Sequence, residues 1–157
     1  MQIGVRPATE HDLDVLVDLY RVLEDEQTDL KDMWPLADGL PEPVETSMKE
    51  MLGDTDVRIF IGTIDDYPFG FIATRSEGLL PQAAGKRVAA IRLVFTHPEA
   101  RGVGLGEAMI KSVLEHFRGE GFTRFDAYVL PGHRAAKNFF ESAGFAARSI
   151  VMHHSDD

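Results

Sequence analysis

Apolar residues recur at helical spacing in four stretches of the chain and in strand-like runs in six. Leu13, Leu16, Val17, Tyr20 and Leu23 mark an amphipathic helix over about 10–25. Thr9 stands at its N-cap and Asp12 at the third helical position. Val44, Met48, Met51 and Leu52 share one side of a second helix near 44–53. Leu105, Met109, Ile110, Val113, Leu114 and Phe117 form a third, with Gly119 and Gly121 at its C-terminal end. Ala136, Phe139, Phe140 and Ala143 give a fourth over 133–142, closed by Gly144. The strands expected are 2–6, 57–64, 69–74, 88–96, 125–130 and 145–152. Asp65-Asp66-Tyr67-Pro68 reads as a turn, and residues 77–87 as a longer loop. This order predicts a mixed α/β domain with one central sheet, occupying the whole of 1–157.

Composition narrows the function. Of 157 residues, 16 are Lys or Arg and 26 Asp or Glu, a net charge of −10 that argues against general nucleic-acid binding. There is no Cys, which excludes disulfides, thiolate metal sites and a Cys nucleophile. The six His are scattered, with His153 and His154 adjacent, so no metal site is expected. No apolar stretch reaches signal-peptide or membrane-spanning length, so the expectation is a soluble, cytoplasmic protein.

The most informative segment is His97-Pro-Glu-Ala-Arg-Gly-Val-Gly-Leu-Gly-Glu107, between a strand and a helix. Three alternating glycines let the backbone approach a ligand, and the helix start presents unpaired N–H groups and a positive dipole end. Together these suit a phosphate or pyrophosphate. No Lys follows the glycines, as a P-loop would need. For a dinucleotide fold the glycines come five residues too late, and Asp126, 20 residues after Gly106, lies inside a strand.

Arg101-x-x-Gly104-x-Gly106 resembles the acetyl-CoA pyrophosphate loop of the GNAT superfamily of N-acetyltransferases. Val94-Phe95-Thr96-His97-Pro98-Glu99 resembles the strand that precedes that loop. Phe139-Phe140-Glu141-Ser142-Ala143-Gly144-Phe145 resembles the family's later helix end, and Arg6-Pro7-Ala8-Thr9-x-x-Asp12-Leu13 its opening. The resemblance covers about residues 3–150. It implies a GNAT-like sheet of about six to seven strands, splayed at the cofactor and flanked by about four helices. Acetyl-CoA would be the acyl donor, bound across about 88–145, and no metal is implied.

The resemblance also implies roles. Backbone groups of Val94, Phe95 and Thr96 would bind the pantetheine arm, with an N–H near Phe95 or Thr96 stabilising charge on the thioester oxygen. Arg101, Gly102, Val103, Gly104, Leu105, Gly106 and Glu107 would hold the pyrophosphate. His133 stands where the family often has an Asn along the pantetheine, and Phe140 where it often has a general-acid Tyr. Arg92 and Tyr128 occupy strands that often carry a carboxylate base. Tyr128 and His133 are therefore the candidate catalytic residues, beside an account in which positioning alone suffices.

Residues 24–56 fall where the family builds its variable acceptor wall. They hold eleven acids against Lys31 and Lys49, which suits a small cationic amine. Trp34 and Tyr67 are candidate acceptor-binding aromatics. The expected activity is acetyl transfer to a primary amine by direct attack in a ternary complex. The alternatives are a protein N-terminus or lysine as acceptor, and a non-catalytic acyl-CoA sensor or partner-binding module. A homodimer is the family habit; neither nucleic acid nor membrane is an expected partner.

Overall fold

The computed structural model describes residues 1–30, 39–129 and 134–157, with side chains left out at 28–30. Five strands form one sheet in chain order: β1 (Ile3–Pro7), β2 (Val57–Ile64), β3 (Tyr67–Gly78), β4 (Arg87–Thr96) and β5 (Phe125–Ala127). The first four are antiparallel neighbours, and β5 joins β4 in parallel. Four helices complete the described residues: α1 (Leu13–Leu30), α2 (Val44–Gly53), α3 (Leu105–Gly119) and α4 (Arg134–Ser142).

Strand alternation sends side chains to two cores. Ile59, Ile61, Phe71, Ala73, Leu93 and Phe95 meet Leu16, Tyr20 and Leu23 of α1 and Val44 and Met48 of α2. On the opposite face Phe60, Ile72, Ala89 and Ile91 meet Leu105, Met109, Ile110, Val113 and Phe117 of α3 and Phe140 of α4. The helical spacing read from the sequence is thus the contact stripe of each helix. The Tyr20 hydroxyl accepts from the Leu40 N–H at 2.7 Å, and burial pushes its pKa up to about 12.

The start of α1 follows its sequence signal through a 3-10 turn, Glu10–Asp12. The Thr9 hydroxyl accepts from the His11 N–H, and Asp12 Oδ2 accepts from the Thr9 N–H at 2.8 Å. Arg6 reaches both Asp12 oxygens at 2.9 Å. The Arg6 hydrogen bond holds the Asp12 carboxyl below its usual value. A depressed folded-state pKa gives stability that is present above the unfolded value of about 3.9 and is lost as pH falls through the folded one. Asp12→Asn is expected to cost about 1–3 kcal/mol, read as a lower urea midpoint at pH 7 with the difference shrinking below about pH 4.

Two expected strands differ. The strand at 125–130 keeps ladder pairing for only three residues, and 145–152 forms no strand. Such a short β5 offers little edge to a further strand. The C-terminal segment instead packs Phe145 against the α3-side core and ties Arg148 to Asp126, at 2.6 and 2.8 Å. Ile150, Val151 and Met152 remain exposed, so an apolar run that is locally strand-like finds no ladder. Among the described residues the sheet has five strands, fewer than the six to seven expected.

Candidate active site

The site begins at an irregularity in β4. Ala73 pairs with Leu93 but Thr74 with Ile91, which leaves Arg92 as an extra residue in the strand. Such a bulge exchanges the backbone positions that face each neighbouring strand. Before it, Ala89 N–H donates to Arg124 O and Ile91 O accepts from Tyr128 N–H, so these residues face β5. After it, His97 N–H donates to Phe69 O, so by antiparallel alternation Phe95 and Leu93 face β3. Val94 and Thr96 then face the side where β5 has ended. The sheet is open there.

A cleft of about 80 Å³ occupies this opening, lined by Leu23 and Gln27 of α1, Ile91–Val94 of β4, Tyr128, Val129, and Ala136 and Phe140 of α4. β4 runs on past this cleft to Thr96 and the glycine-rich turn follows. Pro98–Ala100 form a 3-10 turn, and α3 starts at Leu105 from an N-cap, Gly104, at φ 91° with no side-chain cap bond. That left-handed backbone suits glycine. The first-turn amides of α3 have no intrahelical acceptors and so face outward. Gly106 packs closely against α4: an added Cβ would stand 3.1 Å from the Phe139 ring. An uncapped helix start with small residues on its approach fits a diphosphate, and a free strand edge beside it fits an amide-bearing arm.

Arg101 borders the turn in a fixed pose. Its Nε donates to Thr96 O at 3.0 Å, and its Nη2 reaches both Glu26 oxygens at 2.7 and 2.8 Å. Thr96 O is thereby occupied, which leaves the Thr96 N–H and both polar backbone groups of Val94 on the open edge. Phe95, expected to offer its backbone, turns it to β3 and buries its ring against the α1-side core. Val103 and Glu107 are exposed, whereas Leu105 is buried.

The α1 side of the cleft carries a polar cluster. Phe125 and Ala127 pack toward α3, so Asp126 and Tyr128 project to the α1 face. The Arg92 guanidinium lies 4.0 Å from the Tyr128 ring centroid and 3.1 Å from Glu77. Asp126 is bound by Arg148, whose own pKa rises through that hydrogen bond. Tyr128 is half exposed at the rim. Phe140 is buried edge-on between Phe139 and Phe145 and has no proton to give. Tyr67 is exposed against Phe69 and does not line the cleft. Trp34 and His133 lie outside the described residues.

The acid-rich stretch is largely paired where it is described. Glu24 and Glu42 hold Arg21, Glu26 holds Arg101, Asp54 holds Arg75 and Asp56 stands 3.9 Å from Arg87. Composition could not reveal most of this, because Glu42, Glu26, Asp54 and Asp56 find partners 21 or more positions away. Among the described residues no group of His, Asp and Glu could hold a metal ion, and no helix is long and apolar enough to cross a membrane.

This geometry agrees with a family match. The profile of the acetyltransferase (GNAT) family matches residues 17–145. The chain belongs to that family. Its similarity to an N-acetyltransferase of Methanocaldococcus jannaschii is 26% identity over 92 residues, 59% of this chain and 40% of the other. A mycothiol acetyltransferase of Thermobispora bispora is 31% identical over 89 residues, 57% and 28% respectively. The GNAT chain thus spans less than half the length of these curated relatives. In fold it resembles AAC(6')-Iy, an aminoglycoside N-acetyltransferase, solved with a bisubstrate analogue of coenzyme A. The TM-score is 0.76 at 16% identity, covering 100% and 99% of the chains. A ribosomal-protein-alanine N-acetyltransferase from Brucella melitensis biovar Abortus gives 0.73 at 15% identity, covering 98% and 100%.

Residues that sequence reasoning missed are Leu23, Gln27, Val129 and Ala136 in the cleft wall and Glu26 beside Arg101. One signal existed: Gln27 continues the apolar stripe of Leu16, Tyr20 and Leu23 with a polar side chain.

Proposed function

We propose that this GNAT protein transfers the acetyl group of acetyl-CoA to a primary amine, which attacks directly while both substrates are bound. The observation that carries the reading is the open edge of β4 leading to an uncapped helix start. Acetyl-CoA, when bound, supplies a thioester whose carbonyl carbon accepts the amine and whose sulfur leaves as a thiol. The chain's own residues do the rest. Amides of Gly102–Glu107 and the Nη1 amino group of Arg101 hold the diphosphate. The Val94 carbonyl and the Thr96 N–H receive the pantetheine arm. An N–H on that edge, at Val94, stabilises charge that builds on the thioester oxygen, a contribution of about 10²–10³ where such donors are removed from other enzymes.

Tyr128 is the proton donor in this proposal. Its ring is oriented by Arg92, which Glu77 holds in turn. Tyr128→Phe is expected to lower kcat by about 10²-fold, the low end for acid–base help because a thiolate is a tolerable leaving group. The acetyl-CoA Kd measured by calorimetry stays within about twofold. Unchanged kcat would remove Tyr128 from the chemistry and leave positioning with the Val94 amide as the whole account.

The favoured acceptor is a small cationic amine, supported by the net charge of −10 and by the likeness to an aminoglycoside acetyltransferase. A protein N-terminus is the second reading, supported by the likeness to a ribosomal-protein-alanine acetyltransferase. Thiol release from acetyl-CoA with neamine, spermidine and an alanine-initiated tetrapeptide tests both. Preference for the peptide overturns the first, and acetyl-CoA binding without thiol release from any probe overturns the enzyme reading in favour of a sensor.

A further inference from the structure

Gln27 puts an amide on the buried stripe of α1. It follows Leu16, Tyr20 and Leu23 at alternating four- and three-residue steps, so it lies on the same helix face. It is 7% exposed and lines the cleft beside Leu23, Leu93 and Tyr128. Its amide is not sealed away with the side chain's carbons: the polar end opens onto the cleft. A Leu or Met at this position would simply extend the apolar stripe, whereas Gln27 places an amide donor and acceptor in the cleft wall. The amide lies on the α1 side of the opening, opposite the wall that α4 supplies.

We infer that the Gln27 amide is held in reserve for the acceptor: its carbonyl oxygen takes a hydrogen bond from the attacking amine and aims the nitrogen lone pair through the sheet opening toward the thioester. This deepens the transferase reading and rests on it. The chemistry suits the residue. An amine attacks only in its neutral form, which keeps N–H groups to donate. A neutral amide accepts such a bond without favouring the ammonium form, as a carboxylate in the same place would. Leu23 and Leu93 beside it exclude water from that bond, which strengthens it. The groups already paired around the cleft cannot take this role as readily. Glu77 and Asp126 are engaged by Arg92 and Arg148, and Glu26 by Arg101.

Gln27→Leu keeps the volume and removes the amide; Gln27→Met does so with a more flexible side chain. Wild type and both variants are compared by thermal melting, acetyl-CoA calorimetry and thiol release with neamine, spermidine and the alanine-initiated tetrapeptide. The variants are expected to melt at the wild-type temperature or higher and to bind acetyl-CoA within about twofold. KM for the best of the three amines should rise about tenfold, the loss of one hydrogen bond to the reacting group. Variants that melt lower with unchanged KM would show that Gln27 is structural and overturn the assignment. An unchanged KM at any melting temperature overturns it while leaving the transferase reading intact. If wild type binds acetyl-CoA but acetylates none of the three amines, the acceptor reading fails and takes Gln27's role with it.

Discussion

Gly104→Val is expected to weaken acetyl-CoA binding by at least about a hundredfold in a calorimetric titration. Gly104 is the N-cap of α3 at φ 91° and ψ 11°, in the left-handed region. Space is not the obstacle, since an added Cβ would stand 3.9 Å from Ile3 Cδ1, an ordinary contact. The obstacle is backbone strain. A β-branched residue in this conformation costs about 1–3 kcal/mol, and the turn can relieve it by rotating. Rotation re-aims the amides between Gly102 and Glu107 that the proposed function assigns to the diphosphate. Hydrogen bonds to a charged diphosphate are worth about 1.5–3 kcal/mol each. Losing two corresponds to roughly 10²–10⁴ in Kd. Binding at the wild-type level would show that the turn does not hold the diphosphate, and the proposed function would lose its main support.

Gly70→Ala should be the more damaging change to the fold. Gly70 faces Thr96 across the β3/β4 ladder, and its added Cβ would lie 2.6 Å from the Phe95 carbonyl oxygen and 3.0 Å from Met109 Cε. The Met109 side chain can move aside; the carbonyl belongs to β4 and cannot move without it. Relief therefore requires the central strand pair to separate where it borders the cleft. A loss of about 3 kcal/mol is expected, at the upper end for over-packing. In a protein of this size that lowers the melting temperature by about 6–12 °C. Because the displaced strand is the one whose edge faces the cleft, acetyl-CoA affinity should fall as well. A melting temperature within about 2 °C of wild type would mean that β3 and β4 are less tightly coupled than their geometry implies.

Particular residues show where sequence reasoning succeeded and where it stopped. Thr9 and Asp12 announced the start of the first helix because capping is local: donor and acceptor lie three residues apart. Leu105, Met109, Ile110, Val113 and Phe117 announced α3 because one apolar stripe needs one partner surface, whichever it is. The turn from Arg101 to Glu107 was legible because glycine at special backbone angles and a helix start carry their chemistry within a few residues. Phe140 in place of a tyrosine was also visible, and its burial between two phenylalanines agrees with a packing role.

Other features depend on residues far apart in the chain. Composition suggested an acidic wall at 24–56, whereas four of those acids face arginines 21 or more positions away and Glu24 faces Arg21. Glu26 and Arg101 are 75 positions apart, and Asp126 and Arg148 are 22 apart. The bulge at Arg92 leaves no local mark, since it is a mismatch between two strands rather than a property of one. Yet it decides that Val94, and not Phe95, turns its backbone to the opening.

The sequence by itself determined the helices, the central strands, the glycine-rich turn and the family resemblance, because each is written in spacings of a few residues. Only the tertiary structure decided which acids are neutralised, which backbone groups face the cleft, that 145–152 finds no ladder, and that Gln27 is buried at the opening. Those outcomes depend on strand register and on contacts between distant segments, which local periodicity does not encode.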